Sequence, residues 1–477
     1  MTTPTARHRV LIVGGGFAGL YAAKELGKDE RVEVALVDRR NHYLFSPLLY
    51  QVATGAVSPG DIAQPLRAIL RRQKNTTVLL GEAVDIDPAR REVQLSDGGP
   101  IAYDTLIVAA GARHSYFGND AWAPFAPGLK SLDDATDIRR RILIAFEAAE
   151  REHDPVRRRE WMTFVIVGGG PTGVELAGAL GEIARDTLRR DFRAIDTAAS
   201  RILLVEAMDR ILPTYPADRS ASAKRQLERL GAMVRTGTRV VAIDERSVTV
   251  ETAAGQREEV PARTTLWAAG ILASSFAGAV ARAIDAPHDR NGRLVVEADL
   301  SIPGHPEIFA VGDTAVQPWK PDRPVPGVAQ GAIQSGRYAA KTIRRRIAGD
   351  PTPPFRYANK GEVAVIGRLA GVTDIPWLGP LGRQSGFIAW SLWLWIHILY
   401  LVGFSNRIVV TIRWAWSFLT HGRGSRLITG TPALPPIAEP EPPATAAAPP
   451  DGPPTDGPPP DPDRAPDQAP SPRVSSG

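Results

Sequence analysis

Arg9-Val10-Leu11-Ile12-Val13 runs directly into Gly14-Gly15-Gly16-Phe17-Ala18-Gly19, and Thr163-Phe164-Val165-Ile166-Val167 runs directly into Gly168-Gly169-Gly170-Pro171-Thr172-Gly173. Each stretch reads as a buried strand, a tight turn and the start of a helix. That order lets backbone N–H groups and a helix N-terminus meet a pyrophosphate with no side chain in the way. Gly14, Gly16 and Gly19 form one such set; Gly168, Gly170 and Gly173 form the other. One glycine-rich turn says little. Two, each behind an apolar run and each followed by an acidic strand end, point to two bound dinucleotides.

The acids fall where a ribose diol needs an acceptor. Asp38 closes Val32-Glu33-Val34-Ala35-Leu36-Val37, 19 residues after Gly19. Glu206 closes Leu203-Leu204-Val205, 33 residues after Gly173, and an added helical stretch around Glu182–Ala194 is expected to take up the excess. A carboxylate at Glu206 repels a 2′-phosphate and so favours NADH over NADPH, with Arg210 nearby as a counterweight. A chain holding two dinucleotides is most simply a flavoprotein, with FAD in the first fold and NADH in the second, that takes hydride from the nicotinamide.

The flanking pattern is duplicated. Strands are expected at Thr77–Leu80, Val93–Leu95 and Tyr103–Ala112, then at Thr265–Gly270 in the second half. Glu307–Asp313 supplies a strand that returns the chain to the first domain, and Asp313 at its end can place a carboxylate near a flavin's ribityl chain. Residues 328–347 read as a helix and Lys360–Arg368 as a strand.

Beyond that point the composition changes. Gly386–Phe404 holds no formally charged residue and carries Trp390, Trp393 and Trp395. Phe387–Phe404, at 18 residues, is near the lower limit for spanning a bilayer. In the next stretch Asn406, Arg413, Ser417 and Thr420 share one helical face, opposite Ile408, Val409, Ile412, Trp416 and Leu419. Such a helix lies in the membrane interface; a true span and a dimer-packing helix pair are the competing readings. From Thr431 the chain is rich in Pro, Ala and Asp, with 17 of the 42 prolines, and cannot offset its ordering entropy. The expected class is therefore α/β: two Rossmann-like dinucleotide-binding domains plus a C-terminal membrane-associating helical segment and a disordered tail. The boundaries are 8–125 with 290–350 for FAD, 126–289 for NADH, 351–427 for a strand region and membrane-anchoring amphipathic helices, and 428–477 for the tail.

The 477 residues are 43% hydrophobic and 23% charged, with no cysteine. That excludes disulfides, thiolate metal sites, cysteine-ligated iron–sulfur clusters and a dithiol relay, so a flavin here hands electrons straight to its acceptor. No metal site is expected. The tail from Thr431 carries seven acids and two bases, a charge of −5, so the chain's +5 leaves +10 on the rest. A basic body suits an anionic lipid or nucleic-acid surface, or is simply a solvated surface. Met1–His8 is short and polar, predicting no export signal and a cytoplasmic core.

Asn41-His42-Tyr43-Leu44-Phe45-Ser46-Pro47-Leu48-Leu49-Tyr50-Gln51-Val52-Ala53-Thr54 resembles a signature of the type II NADH:quinone oxidoreductases, single-subunit respiratory dehydrogenases that pump no protons. So do Ala329-Gln330-Gly331-Ala332-Ile333-Gln334, the family's AQxxxQ quinone motif, and Phe309–Ala315, Lys360-Gly361 and the C-terminal aromatic segment. The similarity covers roughly residues 8–425, with Ser46 standing for the family's usual Gln and Ala110 for the Thr of its Ala-Thr-Gly turn.

The resemblance implies electron transfer from NADH through FAD to a membrane quinone, ubiquinone or menaquinone. It also implies peripheral attachment to the cytoplasmic face of the cell membrane, a monotopic anchor, a homodimer and no nucleic-acid partner. Gln330 and Gln334, four apart, share a helix face and would hold a quinone carbonyl without burying a charge. Glu175, two residues past the second fingerprint, would lie near flavin and nicotinamide as a proton relay, and Lys360 would favour an anionic reduced flavin. The plainer alternatives are surface glutamines, a first-turn acid favoured by the helix dipole and a solvated lysine. A reductase of a soluble carrier such as ferredoxin or rubredoxin, and a membrane-bound NADH-sensing flavoprotein, are the competing functions.

Overall fold

The computed structural model describes residues 7–320, 323–401, 408–412, 414–415, 424–430 and 434. In chain order, the first half contains β1 (His8–Val13), α1 (Phe17–Leu26), β2 (Val32–Asp38), β3 (Thr76–Leu80), β4 (Thr105–Val108) and α2 (Leu132–Arg151). The second contains β5 (Thr163–Val167), α3 (Pro171–Glu182), β6 (Arg201–Val205), β7 (Ala232–Arg235) and β8 (Thr264–Trp267). Then come β9 (His305–Ala310), α4 (Ala329–Ala348), β10 (Glu362–Gly367), β11 (Ala370–Asp374) and α5 (Phe387–Tyr400).

Two parallel sheets carry the halves. The first runs β9-β4-β1-β2-β3, edged by a short hairpin strand, Ser301–Ile302, beside β9. The second runs β7-β6-β5-β8. Val10–Val13 and all of β5 are buried, as continuous apolar runs in doubly covered parallel strands must be. Registers match across the duplication: Val10 pairs with Val34 and Thr105, Val165 with Leu203 and Thr265. β9 pairs with β4 and so returns the chain to the first sheet, as the sequence predicted. Ala112–His114 pairs antiparallel with Ile271–Ala273, joining the two halves.

Small residues set the closest approaches. A Cβ on Gly336 of α4 would lie 2.1 Å from the Ala18 carbonyl oxygen of α1, and one on Gly178 of α3 would lie 1.6 Å from the Ile366 oxygen of β10. The second approach lays β10 directly on α3.

One expectation changes and one competing reading loses support. The stretch after Glu182 is only partly helical: a π-turn covers Ile183–Thr187, followed by an irregular segment pinned where the Glu150 carboxylate accepts the N–H groups of Arg193, Ala194 and Ile195. And α5 has 14 residues, about 21 Å at 1.5 Å each, against a hydrocarbon core of about 30 Å. Among the described residues no helix is long and apolar enough to cross a membrane. Asn406, Arg413, Ser417, Thr420, Trp416, Leu419 and nearly all of the tail lie outside the described residues.

Candidate active site

The two fingerprints fold into the same cradle. Gly14 and Gly168 take φ of +106° and +107°, where a side chain is strained, and a Cβ on either would strike the backbone of Ala109 or Ala268. Gly16 and Gly170 are the N-caps of α1 and α3, supply no side-chain acceptor, and have nothing within 4 Å of where a Cβ would stand. Open space therefore faces the uncapped first turn of each helix. That is the shape and polarity a pyrophosphate requires.

The strand-end acids are tied identically. Asp38 accepts the N–H of Gly15 at 2.6 Å and that of Arg40 at 2.7 Å; Glu206 accepts the N–H of Gly169 at 2.6 Å and that of Met208 at 2.8 Å. Each carboxylate is thus fixed at its cradle's edge with lone pairs left for a diol. Arg210 turns away, donating to the Pro213 carbonyl.

Asp313 sits in a short 3-10 turn, Gly312–Thr314, whose Gly312 N–H donates to the Ser335 hydroxyl. Its half-buried carboxylate accepts no hydrogen bond from the described residues, leaving it open to a polyol. Thr314 accepts the Gly111 N–H at 3.0 Å, which anchors the turn containing Ala110.

Gln330 and Gln334 do share a face, and they use it on the chain itself. Gln330 donates to the Gly361 carbonyl (2.9 Å) and accepts the Lys360 N–H (3.0 Å). Gln334 donates to the Ala358 carbonyl (3.0 Å) and accepts the Ala358 N–H (2.9 Å). The pair clamps residues 358–361 along α4. The exposed Lys360 then reaches the Tyr400 hydroxyl at the end of α5 (3.1 Å), and the Trp377 indole donates to the Lys360 carbonyl (3.3 Å).

Glu175 stands apart from that cluster. It lines a cavity of about 130 Å³ between α3, β10 and α5, together with Gln51, Glu182, Trp393 and Trp414, and without Gln330, Gln334 or Lys360. Burial pushes its carboxyl well above the usual range, against the weaker opposing effect of the Val365 N–H. Burial thereby favours its protonated form, the form that can donate a proton.

Sequence reasoning overlooked several neighbours. Tyr400 and Trp377 complete the lysine cluster. His397, buried in α5, bonds the Trp393 carbonyl (2.7 Å), stacks on the Trp393 ring and is pushed down to about 4 by desolvation. It is the sole ionisable imidazole in an otherwise uncharged run, a signal that was available. Of the three tryptophans expected at a membrane interface only Trp395 is exposed, at 64%; Trp393 is 2% exposed and belongs to the core.

The pyridine nucleotide-disulphide oxidoreductase family model matches residues 8–336. The chain is 45% identical over 437 residues to the type II NADH:quinone oxidoreductase Ndh of Mycobacterium tuberculosis, covering 90% of this chain and 92% of that one. It is 44% identical to NdhA of the same organism, covering 89% and 90%. Its fold superimposes on NDH2 of Plasmodium falciparum in complex with NADH with a TM-score of 0.79 at 20% identity, covering 86% and 98%.

Proposed function

The chain belongs to the type II NADH:quinone oxidoreductase family, and we propose that it moves hydride from NADH to FAD and then two electrons to a membrane quinone. Gly14, Gly16, Gly19, Asp38 and Asp313 would hold FAD, which supplies the hydride-accepting and electron-passing chemistry. Gly168, Gly170, Gly173 and Glu206 would hold NADH, the Glu206 charge disfavouring a 2′-phosphate. Gln330 and Gln334 fix the 358–361 segment, and each carboxamide keeps one N–H for a quinone carbonyl. Lys360 adds a cation on the acceptor side. Glu175 supplies a proton.

The observation that carries the quinone reading over a soluble carrier is the bare apolar face beside this cluster. Lys360 bonds Tyr400 of α5, and on the same helix Phe387, Ile388, Trp395 and Leu399 are all more than half exposed. Ile408, Val409 and Ile412 are exposed as well, while Val410 is buried. A lipid surface covers such a face; a short helix and a basic body suit monotopic attachment at the cytoplasmic side. The test is direct: purified protein with NADH or NADPH, against a quinone or a ferredoxin-type acceptor, side by side. NADH-driven quinone turnover is expected. Turnover only with the soluble carrier, or none with either, would refute the reading. Homodimerisation is the accompanying expectation, read by light scattering in detergent.

A further inference from the structure

Glu175, Glu182 and Asp186 line the same cavity, and they fall seven and four residues apart along α3 and the π-turn that extends it. Glu175 and Glu182 are both half-buried, Glu175 with its carboxyl desolvated, and Asp186 is exposed. At 1.5 Å per residue the axial steps along the backbone are about 10 and 6 Å, spacings that intervening water can bridge. The cavity has room for several waters, since one needs only about 10–15 Å³ of such space.

A second feature asks for water in the same place. Trp393 lines the cavity, is 2% exposed, and its indole N–H has no acceptor among the described residues. An unpaired buried donor is costly, and a cavity water relieves it. Trp390, Leu394 and Trp414 also line the cavity.

We propose that this cavity is a water-filled proton inlet, in which Asp186 and Glu182 feed Glu175 from the aqueous surface. The inference rests on quinone being the acceptor. The balance is NADH + H⁺ + quinone → NAD⁺ + quinol: hydride carries two electrons and one proton, and the second proton comes from water. Glu175 gives up its O–H proton as quinol forms. It regains one from Glu182 through cavity water, and Asp186 restores Glu182 from solvent. Glu182 also accepts the Arg368 N–H, so its carboxyl is held in place at the middle of the route.

The test uses the full-length FAD-loaded enzyme in vesicles. Glu182→Gln keeps the side chain's size and its acceptor for Arg368 but cannot relay a proton. Its kcat with quinone should fall at least tenfold while KM for quinone stays within twofold. Reduction of ferricyanide, which takes up no proton, and stopped-flow flavin bleaching by NADH should also stay within twofold. The solvent isotope effect on quinone turnover should rise, and Glu182→Asp should recover at least half the rate. Asp186→Asn, at an exposed position that the fold tolerates, should lower quinone kcat two- to fivefold. Glu182→Gln and Asp186→Asn at wild-type quinone rates would overturn the inlet, as would equal losses with quinone and ferricyanide. A wild type that reduces ferricyanide but no quinone would instead overturn the acceptor reading on which the inlet rests.

Discussion

Gly16 and Gly170 differ from the other fingerprint glycines in what a side chain would meet. A Cβ on Gly19 or Gly173 would lie 1.8 Å from a carbonyl oxygen of its own turn, whereas a Cβ on Gly16 or Gly170 meets nothing. Gly170 has φ −71°, open to any residue. Gly170→Ala should therefore leave the melting temperature nearly unchanged and still raise KM for NADH tenfold or more, because the methyl occupies pyrophosphate space. A melting point that falls together with affinity would contradict this. Glu206 would act through charge. Glu206→Gln keeps an acceptor for one backbone N–H but loses the charge proposed to exclude a 2′-phosphate. The NADH:NADPH ratio of kcat/KM should shrink at least tenfold, about 1.4 kcal/mol of discrimination. An unchanged ratio would place the nucleotide preference elsewhere.

Elements explain what those residues alone could not. The parallel strands, their acidic ends and the return of β9 were legible because apolar runs and glycine turns are local signals, carried by Val10–Val13 and Gly14 as much as by Phe164–Val167 and Gly168. The duty of Gln330 and Gln334 was half legible. Their four-residue spacing placed them on one face, but only the fold shows residues 358–361 lying against it. Of the tryptophans of α5, Trp395 is exposed as expected and Trp393 belongs to the core, because composition cannot say which side of an apolar helix meets protein.

Two predictions sit at this scale. Gln330→Leu removes two hydrogen bonds, about 1–3 kcal/mol of anchoring for the Lys360 segment. Stopped-flow flavin reduction should stay within twofold while quinone turnover falls at least tenfold, and a joint loss would mean the glutamine is only structural. His397 gives a pH signature. Its folded pKa, about 4, lies below the ordinary 6.5, so the unfolded chain binds the proton first. The neutral ring's contribution is complete above pH 6.5 and is lost as pH falls toward 4. Between pH 7 and 5 this costs on the order of 2 kcal/mol, at 1.36 kcal/mol per pKa unit. Urea midpoints at the two pH values should converge in His397→Phe relative to wild type; equal slopes would refute it.

On the scale of the whole molecule, the open question is how a body of net charge +10 meets a bilayer. Both ends of the C-terminal segment are tied to the catalytic body. Trp414 donates to Gln51 (2.8 Å); farther on, Ser425 donates its N–H to the Gly55 carbonyl (3.1 Å), shares a hydroxyl bond with Ser58 and accepts from Arg139. Arg426 pairs with Asp191. A chain that returns to the body at Ser425 favours one-leaflet attachment. Cutting away everything from Gly386 is consequently a poor test, since it removes Trp393 and His397 from the core along with the outward-facing apolar residues. Substituting only outward positions is cleaner. Ile388→Lys, Trp395→Lys and Leu399→Lys together should leave ferricyanide reduction within twofold, because none of the three is buried. Each apolar side chain fully buried in lipid is worth about 1.5–3 kcal/mol. The triple variant should therefore move from the vesicle pellet to the supernatant and lose most activity toward long-chain quinone, while wild type stays bound. High salt should weaken the variant's residual binding more than the wild type's, as charge alone then holds it. In sealed vesicles carrying wild type on their outer face, protease added outside should remove the residues beyond Thr431. Protection of that tail would mean the segment crosses the bilayer, and the one-leaflet reading would fail.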